Sequence, residues 1–176
     1  MLLACIILAT LVLGFAYASL FEWTLHGFIM HKSLGPLTYP HRTHTYHHTL
    51  FTASRTYHLQ PHMDKTKIAM AWWNGPVLIA IGIAPFCAAA VLPIAFAWYW
   101  TAGSIVLTGF FVSASYYGAY EYLHWCMHEP KNRFIERTFV FKWLDAHHRQ
   151  HHRNWGKNLN VVFPLCDWLM GTLVRT

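Results

Sequence analysis

The sequence predicts an all-α integral membrane protein, with about three transmembrane helices capped on the cytoplasmic side by a helical, histidine-rich layer. Three observations predict it. Charged residues make up only 11% of the chain and apolar ones 55%, against about 25% charged in ordinary soluble domains. The apolar residues gather in two long tracts. The 14 histidines outnumber the 13 lysines and arginines, and they clump beside the ends of those tracts. At 176 residues the chain is read as a single domain, 1–176.

The first tract starts at the N-terminus. Met1 to Phe21 carries no charge, and its apolar character runs on to Met30. A helical span needs about 20 apolar residues. The triplet Ala16-Tyr17-Ala18 resembles a signal-peptide cleavage site. However, no basic region precedes it, and the tract continues unbroken into Glu22-Trp23-Thr24-Leu25-His26. The second tract, Ile68 to Tyr120, holds neither charge nor histidine. It is more than twice the length of one span and suits two spans with a turn. The turn is expected near Pro93 to Gly103, with Trp98, Tyr99 and Trp100 at an interface. Pro76 and Pro85 are placed to start or kink the second span. The expected spans are therefore 2–28, 72–93 and 101–124.

Three spans put segments 32–67 and 125–176 on one side of the membrane, as short helices forming the cap. Every lysine and arginine falls in those two segments. By the positive-inside rule that side is cytoplasmic and the N-terminus lies outside. The net charge of +6 is used up by this segregation, and no nucleic-acid partner is implied.

The histidines form four clusters, all expected at the cytoplasmic face. They are His26 and His31; His44, His47 and His48; His124 and His128; and His148, His151 and His152. On a helix, HxxxH sets two imidazoles one turn apart on the same face. HxxHH adds the i+3 position and puts three on one side. His26 and His31, at i and i+5, are about 140° apart on a regular helix. They either serve different metals or lie where the helix unwinds. Ten imidazoles exceed the about four that one structural zinc takes, so two ions sharing ten is the natural reading. Imidazole suits iron, zinc, copper and nickel alike. His41, His58, His62 and His147 are read as supporting or surface residues.

Carboxylates accompany the clusters: Glu22 precedes His26 by four, Glu121 precedes His124 by three, and Asp145 precedes His148 by three. Metal-bound imidazoles usually pass their other N–H to an acceptor such as a carboxylate, so these acids are expected to support the ligands. Glu22 and Glu121 also lie near membrane depth, where an acid is costly and a functional role is the default. The four cysteines are scattered and form no CxxC pair. Cys126 lies between His124 and His128, but a thiolate among so many imidazoles would be unusual.

The ordered series HxxxxH, HxxHH, HxxxH, HxxHH resembles the fatty acid hydroxylase / sterol desaturase superfamily. So do Glu22-Trp23-Thr24-Leu25-His26, Tyr120-Glu121-Tyr122-Leu123-His124, and the stretch from Asn160 through Asp167 to Gly171-Thr172. The likeness runs from about Phe21 to Thr172. It implies an all-helical membrane fold with two iron ions (zinc in a purified form being the alternative). The ligands it implies are His26, His31, His44, His47, His48, His124, His128, His148, His151 and His152. It further implies hydroxylation or desaturation of a lipid with O₂. Unlike larger members, the chain carries no fused cytochrome b5-like domain. A separate donor, cytochrome b5-like or ferredoxin-like, is therefore expected.

A fatty acyl lipid is the first substrate expected, reaching the site from the bilayer through an apolar slot. Carotenoid β-ring hydroxylases share the histidine order and the short length, and are the near alternative. A metal transporter would want polar groups through its spans, and Ile68 to Tyr120 offers no charge or histidine. A non-catalytic metal-binding membrane scaffold is the remaining alternative.

Overall fold

A computed structural model describes residues 1–35 and 38–175. Pro36, Leu37 and Thr176, all within the expected cap, lie outside the described residues. Among the described residues every regular element is a helix and there is no strand. Helix α1 (Leu2–Thr24) runs into a π-helical turn, Leu25–Met30, and is followed by α2 (Thr38–Leu50). Next come α3 (Asn74–Ala95), α4 (Tyr99–His128), α5 (Phe139–His151) and the short α6 (Leu165–Leu169). The expected turn between the second and third spans falls at Phe96–Trp98, where Ala97 takes a left-handed φ of 59°.

Packing divides the chain into two compact units, Met1–Ala18 with Trp72–Gly118, and Ser19–Ala71 with Ala119–Thr176. In the first unit many large apolar side chains point outward: Leu8, Val12 and Leu13 on α1, Ile81, Val91 and Leu92 on α3, and Leu107, Phe110 and Phe111 on α4 are all exposed. The interior sets small residues against a few large ones, Phe86, Val112 and Tyr116. Gly14 lies against the ring of Phe86 and the methyls of Val112, and a side chain at Gly109 would overlap Phe86. Glycine at such crossings lets helix backbones approach closely, as it does between helices in lipid.

Among the described residues, two helical segments are long and apolar enough to cross a membrane, Leu2–Met30 and Asn74–Ala95. Pro76 sits in the first turn of α3, while Pro85 and Pro93 are carried inside it. The third expected span corresponds to α4, which is 30 residues long but less apolar. Hydroxyl residues interrupt it, and some bond back to its own carbonyls. Ser104 Oγ donates to Trp100 O at 2.8 Å and Ser115 Oγ to Phe111 O at 2.6 Å.

The second unit has its own apolar core of Tyr57, Cys126, Met127, Phe141, Leu144 and Val161. Helix α5 starts at a Thr138 cap whose side chain accepts from Phe141 N. It then buries Phe141, Leu144, His147, His148 and His151 at helical spacing. The apolar positions of this face fill the core, and its imidazoles join the polar interior described next.

Candidate metal centre

The ten histidines singled out by spacing come together in two groups of five. His26, His31, His44, His48 and His151 form the first; His47, His124, His128, His148 and His152 form the second. Within each group one atom per residue lies within 4.8 Å of every other, and either group can hold a metal ion. Nine of the ten are buried; His31 is partly exposed.

The local chain geometry explains the grouping. On α2, His44 and His48 are one turn apart and share the first group, while His47 turns to the second. Helix α5 does the reverse: His148 and His152 share the second group and His151 joins the first. The three imidazoles of each HxxHH motif are thus divided, the i, i+4 pair going to one group and the odd member to the other. His124 and His128, one turn apart on α4, both enter the second group. His26 and His31 are brought together by the π-helical turn, whose i→i+5 bonding closes one wider turn than an α-helix. Both enter the first group.

The ring nitrogens are sorted by role. His26 Nδ1 faces the Leu159 carbonyl at 2.5 Å and His151 Nδ1 that of Lys157 at 2.9 Å. In the second group His47 faces Lys67 O at 3.0 Å, His128 faces Tyr57 O at 2.7 Å and His152 faces Phe51 O at 2.5 Å. A carbonyl only accepts, so each of these Nδ1 atoms carries the proton and each Nε2 keeps its lone pair. Those Nε2 atoms converge. His26 and His44 are 2.8 Å apart, His44 and His48 3.0 Å, His48 and His151 3.1 Å, and His31 and His151 3.2 Å. In the second group His148 Nε2 lies 3.0 Å from His152 and 3.3 Å from His128. The buried Nε2 atoms of His47 and His124 have no hydrogen-bond partner among the described residues.

This arrangement fits metal ions. Ligands about 2.1 Å from one ion and at right angles are about 3 Å apart, which is the spacing observed. Lone pairs converging in a buried space repel one another unless a cation lies between them. The rings are also kept neutral, as ligation requires. Burial, then neighbouring imidazoles, holds His44, His48, His148, His151 and His152 below the usual imidazole range. His31 is lowered to about 4 by burial and by His41, and His47 to about 4 by burial.

Glu22 and Asp145 accept hydrogen bonds from groups outside the ten rings. Glu22 accepts from Asn160 Nδ2 at 3.0 Å and Val161 N at 2.5 Å. Its partners belong to the segment whose Leu159 carbonyl meets the His26 ring. Asp145 accepts the Tyr57 hydroxyl at 2.9 Å. Glu121 lines a small pocket with Thr43, Ile68, Met70, Tyr120 and the rings of His47 and His124. Cys126 is fully buried in the apolar core and belongs to neither group.

Of the remaining histidines, His41 meets Met30 O and the exposed His58 meets Arg149. His62 is exposed. His147 is buried, with Nε2 on Asp167 Oδ2 at 3.1 Å. The residues that spacing did not single out are Tyr57, Asn158 and Asp167, with Phe51 supplying a carbonyl. Only Asp167 had a signal, in the tail motif. Comparison with protein-family models, with curated proteins and with solved structures finds no match to this chain.

Proposed function

We propose that the chain is a membrane-bound di-iron oxygenase that places a hydroxyl group, or a double bond, in a lipid, with a fatty acyl chain as the first candidate. The observation that carries the reading is the pair of adjacent, all-imidazole groups of five, presenting Nε2 lone pairs to two centres. Rings of His48 and His152, one from each group, are 4.3 Å apart between centroids. That proximity suits two ions acting on one small molecule. Bound there, two irons would supply O₂ activation: RH, O₂, two external electrons and two protons become ROH and water. Five imidazoles per ion leave room for an exogenous ligand.

Backbone carbonyls hold five of the ten rings, those of His26, His151, His47, His128 and His152, and burial keeps water from most of the cluster. The pocket beside His47 and His124 offers an approach to the second group. Its Ile68, Ala69 and Met70 walls suit a hydrocarbon, and Glu121 lies at the same pocket.

We read α4 as a third span, with the N-terminus outside and the histidine groups and C-terminus in the cytoplasm. The confinement of all lysines and arginines to segments 32–67 and 131–175 supports this. Electrons would come from a separate donor protein.

The test is product labelling. Iron-loaded protein with a reductant and ¹⁸O₂ should put one labelled atom into an acyl lipid and none from labelled water. Oxygen on a β-ionone ring, with acyl chains untouched, would transfer the reading to a carotenoid hydroxylase. No O₂ consumption with acyl, carotenoid or sterol lipids would leave a metal scaffold instead.

A further inference from the structure

Asp167 is fully buried, and its two carboxylate oxygens collect four donors. Oδ1 accepts from Leu159 N at 2.8 Å and Thr172 Oγ1 at 2.6 Å. Oδ2 accepts from Asn160 N at 2.8 Å and His147 Nε2 at 3.1 Å. Asp167 N donates in turn to Asn160 Oδ1 at 3.2 Å, and Asp167 O accepts from Thr172 N at 2.9 Å. Thr172 O closes the ring by accepting from Asn158 N at 3.0 Å. Residues 158–160 are therefore held to one carboxylate through their main chain, directly or through Thr172.

That same short segment supplies the acceptors for one histidine group and not the other. Leu159 O meets His26, and the Lys157 carbonyl that leads into the segment meets His151. The corresponding carbonyls for the second group come from Phe51, Tyr57 and Lys67, none of which touches Asp167. An acceptor fixes which ring nitrogen is protonated and how the ring is turned. A carboxylate that holds the acceptor acts on the ligand at one remove.

We propose that Asp167 is the positioning residue of the first histidine group: by fixing the Lys157–Asn160 backbone it orients His26 and His151, and its loss falls on that metal position before the second, which it meets only through His147 on α5. This rests on the two-metal reading above.

The experiment uses the full chain in detergent and Co²⁺ as probe, read by metal stoichiometry and by tryptophan fluorescence. Trp155 reports the first group, because its ring lies 4.8 Å from His48 and 5.6 Å from His31; the W155F difference isolates its signal. The unaltered chain should bind two ions and quench Trp155. Asp167→Asn offers an amide N–H where the site needs acceptors, so it should bind one ion and lose the Trp155 quenching. Two ions at unchanged affinity in D167N, or equal loss of both, would overturn the proposal. Fewer than two ions in the unaltered chain would instead sink the two-metal reading on which it rests. If D167N does not accumulate, the pair Thr172→Val and Thr172→Ser decides. The valine should weaken one of the two binding steps about 10-fold, and the serine, which keeps the hydroxyl, should restore it. Equal affinities in T172V and the unaltered chain overturn the proposal as well.

Discussion

His26 and His31 lie nearly parallel, with ring centroids 5.1 Å apart and planes 15° from each other, although five residues separate them. A regular helix would turn them about 140° apart. The π-helical turn Leu25–Met30 removes that angle, and so determines that the HxxxxH motif serves one group rather than two. Deleting one residue from the turn, for example Ile29, should restore an i, i+4 spacing but shift every residue before it by a helical step. The expected outcome is loss of one metal per chain while α1 stays helical, checked by elemental analysis and circular dichroism.

The division of each HxxHH motif gives paired expectations. His151→Ala removes a first-group ligand and His148→Ala a second-group ligand. Each should cost one metal of two, with the double variant losing both. His58→Ala should leave metal content unchanged, because His58 is exposed and pairs with Arg149. Stoichiometry across the four proteins checks all of this.

Acid should destabilise the metal-free second unit. His31 and His47 are lowered to about 4 from an ordinary 6.5. Below pH 6.5 the unfolded chain takes up protons that the folded form refuses. Stability is therefore present above about 6.5 and lost as pH falls, until these two rings also protonate near 4. Urea midpoints of metal-free protein at pH 7.5, 6 and 5 should decline in that order. Flat midpoints would mean the rings are not buried as described.

Glu121 lines the pocket beside His47 and His124. Glu121→Gln keeps its shape and removes its charge. It should retain two metals and lower turnover about 10-fold or more, read as the ratio of product to metal bound.

Packing of the first unit rests on the approach of Gly109 to Phe86. Gly109→Leu should destabilise by about 1–3 kcal/mol through overpacking, measured as a lowered unfolding midpoint in detergent. Gly109→Leu combined with Phe86→Ala should recover part of the loss. For topology, cysteines at Ser104 and Arg175 should label from opposite faces of a sealed vesicle; labelling from one face would remove α4 as a span.

Much of this was legible in the sequence because helical periodicity is a local property. The HxxxH pair at His124 and His128 needed nothing but the 3.6-residue repeat, and the uncharged run from Ile68 to Tyr120 resolved into two helices parted at Phe96–Trp98. Less legible was what supports the rings. Backbone carbonyls are present at every position, so nothing marks Leu159, Tyr57 or Phe51 as the chosen acceptors. The charges of Glu22 and Asp145 are conspicuous in the sequence, but that these acids accept from Asn160, Val161 and Tyr57 is set by the fold. Nor does an i, i+5 spacing announce a π turn, which depends on how the chain leaves α1.

Helices α2 and α5 each contribute imidazoles to both groups, and this has a mechanical consequence. One filled group would act as a single rivet between the two helices, about which they could still swivel. A second rivet, set one helical step away, removes that rotation. The separation of the two ions would then be dictated by the pitch of the helices and not by a bridging side chain. A chain carrying one ion would be a hinge, and only the doubly loaded form would be a rigid frame.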